Sequence, residues 1–310
     1  MLNKRYFPHL LIIGLLLLLI AFSLPSFGLW VNYSKNNPST GQTPILLDTY
    51  QHPSIPHLSN DTKPELLANN YIVIDTITNM VLLSHDQNYR IYPASITKLA
   101  TALTALNIYP LDELITVKDA YGNGQIMNLV PGETLTVKSL VSALLVHSAN
   151  DAAYNLALHH LNGVPGFIKE MNLVVDKNGL KNTHFTNFDG LQDLTHYSTV
   201  YDLSQLGRLA IKNPFIRETV KNKNITVTDI TGKIIHSLDS TNELLGVVPE
   251  IEGLKTGWTP EAGGCFVALI DLGNSHYLIS VVARSADRFA DTAKIVDWAK
   301  STVFWSPYQP

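Results

Sequence analysis

Residues 92–106 have the sequence Tyr-Pro-Ala-Ser-Ile-Thr-Lys-Leu-Ala-Thr-Ala-Leu-Thr-Ala-Leu, and this stretch decides what fold the chain can adopt. From Ser95 onward, large apolar side chains recur at helical spacing and alanine occupies several positions beside them, which predicts a helix buried on most of its sides. The large side chains belong to Ile96, Leu99, Leu103 and Leu106. A helix this apolar must be covered by a sheet or by other helices, so the flanking sequence should supply them.

The flanking sequence predicts strands at both ends of the folded part and helices between them. Residues 71–75 and 80–84 are two apolar runs around a short polar turn, which is typical of a hairpin. Further strands are predicted at 253–258, 265–271 and 277–284, and helices at 137–146, 151–161, 166–177, 199–211 and 288–302. This order favours an α+β fold with one antiparallel sheet built from N- and C-terminal segments, flanked by helices, with an inserted all-helical part.

Ser95 and Lys98 stand three residues apart on the first predicted helix, so their side chains share one face, one turn apart. A serine hydroxyl is a weak nucleophile that needs an adjacent base. Burial pushes a lysine toward its neutral form, and a neutral amine can be that base. The pair fits nucleophilic catalysis, although an N-cap serine followed by a solvated lysine has the same spacing.

Two further segments place polar residues where the surrounding sequence is apolar. Ser148-Ala-Asn150 lies in a short break between two predicted helices, where it fits either an active-site loop or a helix cap. Lys255-Thr256-Gly257 interrupts a strand that is otherwise typical of a buried one. A cation and a hydroxyl facing a cleft can hold a carboxylate, and a glycine lets a substrate backbone approach the strand.

Together the three motifs resemble the active-site set Ser-x-x-Lys, Ser-x-Asn and Lys-Thr-Gly of the penicillin-binding proteins and serine β-lactamases, in the same order. Longer matches resemble the low-molecular-mass D-alanyl-D-alanine carboxypeptidases, peptidase family S11. They are residues 92–98, 148–153, 196–203 and 253–259, together with the Asn-x-x-Gly-Leu loop at 187–191. The resemblance implies a β-lactamase/transpeptidase-like fold and covers roughly residues 66–303.

The resemblance implies roles for the residues around the nucleophile. Ser95 would be acylated and Lys98 would be its base. Ser148 would relay a proton, and together with Asn150 it would hold the substrate. The expected reaction removes the terminal D-alanine from peptidoglycan stem peptides ending in D-Ala-D-Ala, and β-lactam antibiotics are expected as covalent inhibitors.

The resemblance also implies a substrate-binding strand. Lys255 and Thr256 would bind the terminal carboxylate, and Gly257 would leave room for the substrate backbone. The backbone N–H of Trp258, with that of the nucleophile, would form the oxyanion hole. Arg288 would lie near the carboxylate end of the site. Trp258 stands where some family members have histidine, so the preference of this subsite is left open.

Three other reactions or roles remain open at this stage. A DD-endopeptidase cutting peptidoglycan cross-links would use the same residues. A class A-like β-lactamase would share the nucleophile and would also need a carboxylate to activate the deacylating water. A non-catalytic module that binds peptidoglycan or penicillin would need neither Ser95 nor its lysine partner.

Composition excludes several classes of partner. The net charge is −4, with 22 basic and 26 acidic residues and no long basic run, so nucleic acid is not an expected partner. The 11 histidines include no His-Glu-x-x-His pattern, and no glycine-rich phosphate loop is present. We therefore expect no metal and no cofactor. Cys265, the single cysteine, fits a small buried strand residue.

The N-terminal segment predicts export. Lys4 and Arg5 precede an apolar stretch at 9–31 that is long enough to cross a bilayer, with Trp30 at its far end. We expect residues 1–8 to be a cytoplasmic tail and 9–31 a membrane anchor, or alternatively a signal peptide cleaved near Ser26-Phe-Gly28. A proline-rich linker at 32–65 would then carry an extracytoplasmic catalytic domain at 66–306.

Overall fold

The structure, a computed structural model, describes residues 53–307. Within this range the strands are β1 Ile55–Leu58, β2 Asn70–Asp75, β3 Val81–His85, β4 Leu114–Thr116, β5 Thr134–Thr136, β6 Asn224–Thr228, β7 Ile235–Asp239, β8 Ile251–Thr259, β9 Gly263–Asp271, β10 Tyr277–Ser285 and β11 Val303–Ser306. The helices are α1 Thr97–Ile108, α2 Val137–Val146, α3 Asn150–His159, α4 Gly163–Lys177, α5 Val200–Ala210, α6 Pro214–Thr219 and α7 Arg288–Thr302. A 3₁₀ turn, Ala94–Ile96, precedes α1.

One five-stranded sheet organises the fold, with strand order β3-β2-β10-β9-β8 and antiparallel pairing throughout. The predicted N-terminal hairpin is β2–β3, and β10 from the C-terminal third pairs with β2, which confirms the predicted α+β architecture. β8, which carries Lys255, is an edge strand of this sheet. Its free edge is therefore open to the elements packed beside it.

The alternation of side chains along β9 explains why both faces of the sheet are covered. Successive strand residues point to opposite faces. Cys265, Val267 and Leu269 belong to the core shared with helices α1 to α5, whereas Phe266 and Ala268 belong to the core shared with α7. All of them are fully buried, so the strand is apolar along its whole length.

The inserted helical part surrounds α1, as its composition predicts. Residues 97–102 of α1 are all buried, and α2, α4 and α5 pack around it. Ser95 itself lies in the 3₁₀ turn, so the α-helix begins two residues later than expected. Lys98 still follows Ser95 by about one helical turn, which keeps both side chains on the same side.

The predicted linker ends earlier than the sequence indicates. β1, at Ile55–Leu58, pairs with β11 near the C-terminal end, and Trp298 Nε1 donates a hydrogen bond to the carbonyl of Thr62 at 2.8 Å. The folded part therefore includes residues predicted as linker up to position 65, because proline-rich sequence can still pair as an edge strand. The predicted tail and anchor, at 1–8 and 9–31, lie outside the described residues. No helix within 53–307 is long and apolar enough to cross a membrane.

Candidate active site

Ser95 and Lys98 form a hydrogen-bonded pair in the structure. Lys98 Nζ lies 3.0 Å from Ser95 Oγ and also donates to the backbone carbonyl of Asp189 at 2.8 Å. Ala94, just before the nucleophile, has a positive φ of 50°, which is unusual for a residue with a Cβ. The sharp turn at Ala94 and the start of α1 together present the Ser95 hydroxyl to the lysine amine.

Burial sets the protonation of Lys98. The side chain is completely buried, and the loss of hydration lowers its pKa to about 8, while the Asp189 carboxylate opposes that shift and raises the pKa. About a tenth of the lysine is therefore neutral at pH 7, far more than for a lysine in water. Its lone pair is then available to accept the proton of the Ser95 hydroxyl.

The loop at residues 187–191 packs against the turn Ala94–Ile96 that carries Ser95, which we call the nucleophile turn. The contact is on the side of the turn that faces the helices. Asn187 Oδ1 accepts a hydrogen bond from Gly190 N at 2.7 Å, and Asn187 Nδ2 donates to the carbonyl of Leu191 at 2.9 Å. Gly190 has φ 86°, and a Cβ there would lie 1.8 Å from the carbonyl oxygen of Ala94. Only glycine fits this position, because both the backbone conformation and the close approach exclude a side chain.

Asp189 is a buried carboxylate behind the lysine that the sequence analysis did not single out. Its Oδ2 accepts a hydrogen bond from Tyr121 Oη at 2.7 Å, and its Oδ1 accepts one from Leu191 N at 3.1 Å. Tyr121 is itself held by stacking on Tyr154, with ring centroids 4.9 Å apart. The Asn-x-x-Gly-Leu motif marks this loop in the sequence, but not the role of its central residue.

His196 is a second buried group near the nucleophile, and the sequence marks it only as the first residue of the motif at 196–203. Its Nδ1 accepts a hydrogen bond from Thr186 N at 3.1 Å, so the proton of the neutral ring sits on Nε2. Nε2 lies 2.8 Å from Thr97 Oγ1 and donates to it. Burial lowers the pKa of His196 to about 4, with a smaller lowering from Lys98. The imidazole is therefore a neutral positioning group at physiological pH.

Ser148 lies in the predicted break between α2 and α3, and Asn150 is the first residue of α3. Ser148 has φ 64°, and Asn150 donates from N to the carbonyl of Gln125 at 2.7 Å and from Nδ2 to the carbonyl of Asn123 at 2.8 Å. Asn150 Oδ1 is buried without a protein partner among the described residues. An orphaned buried acceptor is costly, so this oxygen is positioned to accept a hydrogen bond from a ligand N–H.

β8 runs directly beside the nucleophile turn. A Cβ at Gly257 would lie 2.9 Å from Ser95 N and 3.1 Å from the Cβ of Ala94. Any larger residue would push the strand away from the turn. Within residues 53–307, no direct hydrogen bond joins Ser148 or Lys255 to the Ser95 and Lys98 side chains.

Lys255 is the second buried lysine of the site. Its Nζ donates to the carbonyl of Thr256 at 3.1 Å, and Thr256 Oγ1 lies 2.7 Å from Thr241 Oγ1. Burial lowers the pKa of Lys255 well below its usual range, and the positive charges of Lys98 and Arg288 lower it further. Lys98 has the Asp189 carboxylate nearby, whereas no carboxylate within residues 53–307 forms an ion pair with Lys255. A carboxylate ligand would stabilise the ammonium form of Lys255 that burial penalises.

The side chains of Trp258 and Arg288 differ in exposure, because Trp258 faces solvent and Arg288 is partly buried. The Trp258 side chain is 60% exposed at the end of β8. Arg288 begins α7, and its guanidinium lies 4.4 Å from the centre of the Phe289 ring. The Nε of Arg288 is buried without a protein partner among the described residues. Arg288 is close enough to Lys255 for its positive charge to lower the pKa of Lys255.

No cluster of three or more metal-ligating side chains is found in residues 53–307. The site brings together a serine, two buried lysines, backbone amides and a buried amide oxygen that has no protein partner among the described residues. Such a set can attack a carbonyl, hold an anion and transfer a proton. These are the requirements of acyl transfer through a serine ester.

Comparison with known proteins identifies the family. The family model described as D-alanyl-D-alanine carboxypeptidase matches residues 58–286. The chain is 32% identical to the D-alanyl-D-alanine carboxypeptidase DacF of Bacillus subtilis, over 76% of this chain and 62% of that protein. It is also 32% identical to a D-alanyl-D-alanine carboxypeptidase of Streptomyces sp. strain K15, over 76% of this chain and 88% of that protein.

The solved structure of the Streptomyces K15 DD-transpeptidase superposes with a TM-score of 0.73 at 32% identity, covering 78% of this chain and 100% of that one. The fold is thus that of the penicillin-binding proteins, with a serine and a buried lysine in contact at the site. The chain belongs to peptidase family S11, the D-alanyl-D-alanine carboxypeptidases. It spans less than two thirds of the length of DacF and most of the length of the Streptomyces relative.

Proposed function

We propose that this protein is a serine-type D-Ala-D-Ala carboxypeptidase that trims peptidoglycan stem pentapeptides through an acyl-enzyme on Ser95. The observation that carries the proposal is the 3.0 Å contact between Ser95 Oγ and the buried Lys98 Nζ, an amine whose pKa burial lowers to about 8. The family match and the carboxypeptidase names of the relatives support the same reaction.

In the acylation step, Lys98 accepts the proton of Ser95 Oγ while the oxygen attacks the carbonyl carbon between the two D-alanines. The carbonyl oxygen becomes an oxyanion, which the N–H groups of Ser95 and Trp258 would stabilise. The C–N bond then breaks, and a proton relayed through Ser148 converts the departing nitrogen into the amine of free D-alanine. Water cleaves the resulting serine ester, which releases the shortened peptide and restores the hydroxyl.

Three groups support the binding of the terminal carboxylate in this proposal. Lys255 and Arg288 supply positive charge, and Thr256, the residue after Lys255 on β8, supplies a hydroxyl. A bound carboxylate would raise the depressed pKa of Lys255, because the anion stabilises the ammonium form that burial penalises. The orphaned Oδ1 of Asn150 would accept a hydrogen bond from a backbone N–H of the substrate.

The structure gives less support to the β-lactamase alternative. Residues 150–255 contain one Glu-x-x-x-Asn spacing, Glu218 and Asn222, but the Glu218 side chain is 73% exposed and pairs with Lys221 at the surface. The buried carboxylate of Asp189 accepts hydrogen bonds on both oxygens from Tyr121 and Leu191. Neither carboxylate is arranged to activate a deacylating water, so we expect bound penicillin to be released slowly.

A covalent trapping experiment tests the proposal. Full-length protein in detergent is incubated with a labelled penicillin, and the modified residue is located by peptide mass analysis. We expect a long-lived adduct on Ser95, its loss in Ser95→Ala, and its retention in the matched control Ser301→Ala at the exposed surface of α7. Absence of an adduct on Ser95 in the unaltered protein would refute the mechanism.

Product analysis identifies the reaction. Muropeptide pentapeptides should lose one D-alanine, and Ser95→Ala should abolish that loss. Release of monomers from cross-linked dimers would indicate the endopeptidase reaction instead. Transfer to an added amino acid amine would indicate a transpeptidase, the activity for which the Streptomyces K15 enzyme of similar structure is named. A protein that binds penicillin yet converts none of these substrates would be a non-catalytic module.

The proposal places the reaction outside the cytoplasm, with the segment at 9–31 as an uncleaved membrane anchor. Its support is the apolar sequence after Lys4 and Arg5, because that segment lies outside the described residues. Mass analysis of the protein extracted from membranes separates an intact N-terminus from cleavage near Gly28. A soluble protein of reduced mass would overturn the anchor.

A further inference from the structure

A cavity of about 450 Å³ is lined partly by the segment that leads into Ser95 and by none of the candidate catalytic residues. Its walls come from residues 89–92, from the loop at 194–197, from Glu261 in the β8–β9 turn and from Arg284 at the end of β10. The volume lies within the usual range for small-ligand sites. Tyr92, in the wall of the cavity, stands three residues before Ser95 in the chain. One short segment therefore contributes both to the cavity wall and to the nucleophile turn.

The charged groups of this cavity have no charged protein partners. Within residues 53–307, Arg90, Arg284 and Glu261 form no ion pair. Arg90 lies 4.1 Å over the ring of Tyr197, and Arg284 lies 5.3 Å from the ring centre of Tyr89. Stacking on an aromatic ring orients a guanidinium while its N–H groups can still donate to an acceptor in the ring plane.

The order of residues along β8 places the cavity on the acyl side of the substrate, and this step rests on the proposed function. Lys255 and Thr256 would hold the terminal carboxylate, and Gly257 lies against the nucleophile turn. The peptide on the other side of the scissile bond must then continue past Trp258 toward Glu261. An extended peptide advances about 3.3 Å per residue, so a long side chain next to the scissile D-alanines can enter the cavity.

We propose that this cavity binds the side chain of the stem-peptide residue that precedes D-Ala-D-Ala, and that it prefers a side chain ending in both a carboxylate and an ammonium group. Two arginines and one glutamate offer sites for one anion and one cation. A side chain ending in an ammonium alone would meet two like charges and one opposite charge. A diamino dicarboxylic acid would satisfy both signs, with its carboxylate on Arg90 and Arg284 and its ammonium on Glu261.

Matched peptide substrates test this preference with full-length protein in detergent. One peptide carries diaminopimelic acid before D-Ala-D-Ala, the second carries lysine, and the third carries doubly acetylated lysine. We expect kcat/KM for the first to exceed that for the second by about tenfold or more, since charged hydrogen bonds to the carboxylate distinguish them. Arg284→Gln and Arg90→Gln should each reduce that ratio severalfold, because each removes a donor for the carboxylate.

Further variants separate the contributions within the cavity. Glu261→Gln should slow the two substrates that carry an ammonium relative to the acetylated one. Lys138→Gln, a surface charge removed from α2 away from the cavity, should alter none of the ratios. Titration with labelled penicillin gives the concentration of active enzyme, so a poorly folded variant does not distort the comparison.

Equal kcat/KM for the diaminopimelyl and lysyl substrates would overturn the inference, and so would a preference that survives both arginine substitutions. These outcomes differ from failure of the proposed function. If penicillin labels nothing and the acetylated peptide is not cleaved, the reaction itself is wrong and the subsite falls with it. If both react but the preference is absent, only the subsite assignment fails.

Discussion

The cleft has an inner region around Ser95, Lys98 and His196, and an outer region, which is the cavity lined by Arg90, Glu261 and Arg284. The two regions differ in whether their polar side chains already have protein partners. In the inner region, Lys98 and His196 are buried and bound to protein acceptors and donors. In the outer cavity, Arg284 and Glu261 are exposed and have no ion-pair partner among the described residues. The inner groups are therefore set in place before a substrate arrives, whereas the outer charges are left for a ligand to neutralise.

This difference predicts which property each region controls. Substitutions in the inner region should change the rate of acylation, the free energy of unfolding, or both, since its groups serve the fold and the chemistry together. Substitutions in the outer region should change the choice of substrate and little else.

Removal of the inner lysine should have the largest effect. Lys98→Gln keeps a hydrogen-bond donor near Ser95 but cannot accept its proton at neutral pH. We expect the second-order rate of penicillin acylation to fall by roughly 10²- to 10⁴-fold, the usual contribution of a general base. Lys138→Gln is the control for loss of a positive charge. A decrease of less than tenfold would mean that another group deprotonates Ser95.

Gly190→Ala should lower the free energy of unfolding more than a glycine-to-alanine substitution at an open position. The new Cβ would meet the carbonyl of Ala94, whereas a Cβ at Gly232, with φ 70°, would have nothing within 4 Å. Both substitutions strain a positive-φ position by about 1 kcal/mol, and only Gly190→Ala adds overpacking of roughly 1–3 kcal/mol. Urea unfolding of Gly190→Ala and Gly232→Ala measures the difference. Equal losses would mean that the loop at 187–191 is not locked against the nucleophile turn.

Residues in short local motifs could be predicted from the sequence, whereas contacts between distant segments could not. Ser95, Lys98 and the Lys255 strand lie in short motifs whose spacing fixes their relative positions on a helix or strand. Asp189 and His196 act through contacts that join segments far apart in the chain, with Lys98 and with Thr97, and no local spacing encodes such contacts. Sequence motifs marked the two segments that contain Asp189 and His196, but they did not show that these residues contact Lys98 and Thr97.

The outer cavity was missed for a related reason. Arg90, Glu261 and Arg284 come from three separate segments and are ordinary surface charges when considered singly. The pairing of β1 with β11 was missed because a short edge strand interrupted by Pro56 resembles a linker. The main sheet was predictable, because long apolar runs such as 265–271 have few alternatives to a buried strand.

His196 should make the inner region sensitive to acid. Its pKa in the folded protein is about 4, below the usual 6.5, so the unfolded chain binds more protons between these values. The contribution to stability is complete above pH 6.5 and is lost as the pH falls toward 4, amounting to at most about 3 kcal/mol.

Urea unfolding at pH 4 and pH 7 measures this dependence. His196→Gln retains a donor toward Thr97 but does not titrate, so its stability should change less between the two pH values than that of the unaltered protein. The carboxylates common to both proteins cancel in that comparison. Identical pH dependence would mean that the buried imidazole does not control acid stability.

Asp189→Asn should shift the pH dependence of acylation to lower pH. The rate should rise as Lys98 loses its proton near pH 8, and the Asp189 carboxylate raises that pKa. Removal of the carboxylate favours the neutral amine, so acylation at pH 7 should become faster by up to about tenfold. Tyr121→Phe keeps the carboxylate and should not produce this acceleration. A profile that stays in place or moves to higher pH would exclude Asp189 from control of Lys98.

Glu261→Gln should have the smallest effect on the folded protein. The Glu261 side chain is exposed and forms no ion pair within residues 53–307, so the free energy of unfolding should change by no more than about 0.5 kcal/mol. Penicillin labelling of Ser95 should also keep its rate within about twofold, because the carboxylate lies outside the reacting groups. Urea unfolding and labelling kinetics on the same preparation test both points. A loss above about 1 kcal/mol would show that the outer charges hold the β8–β9 turn in place, and the distinction between a preset inner region and a ligand-neutralised outer one would no longer stand.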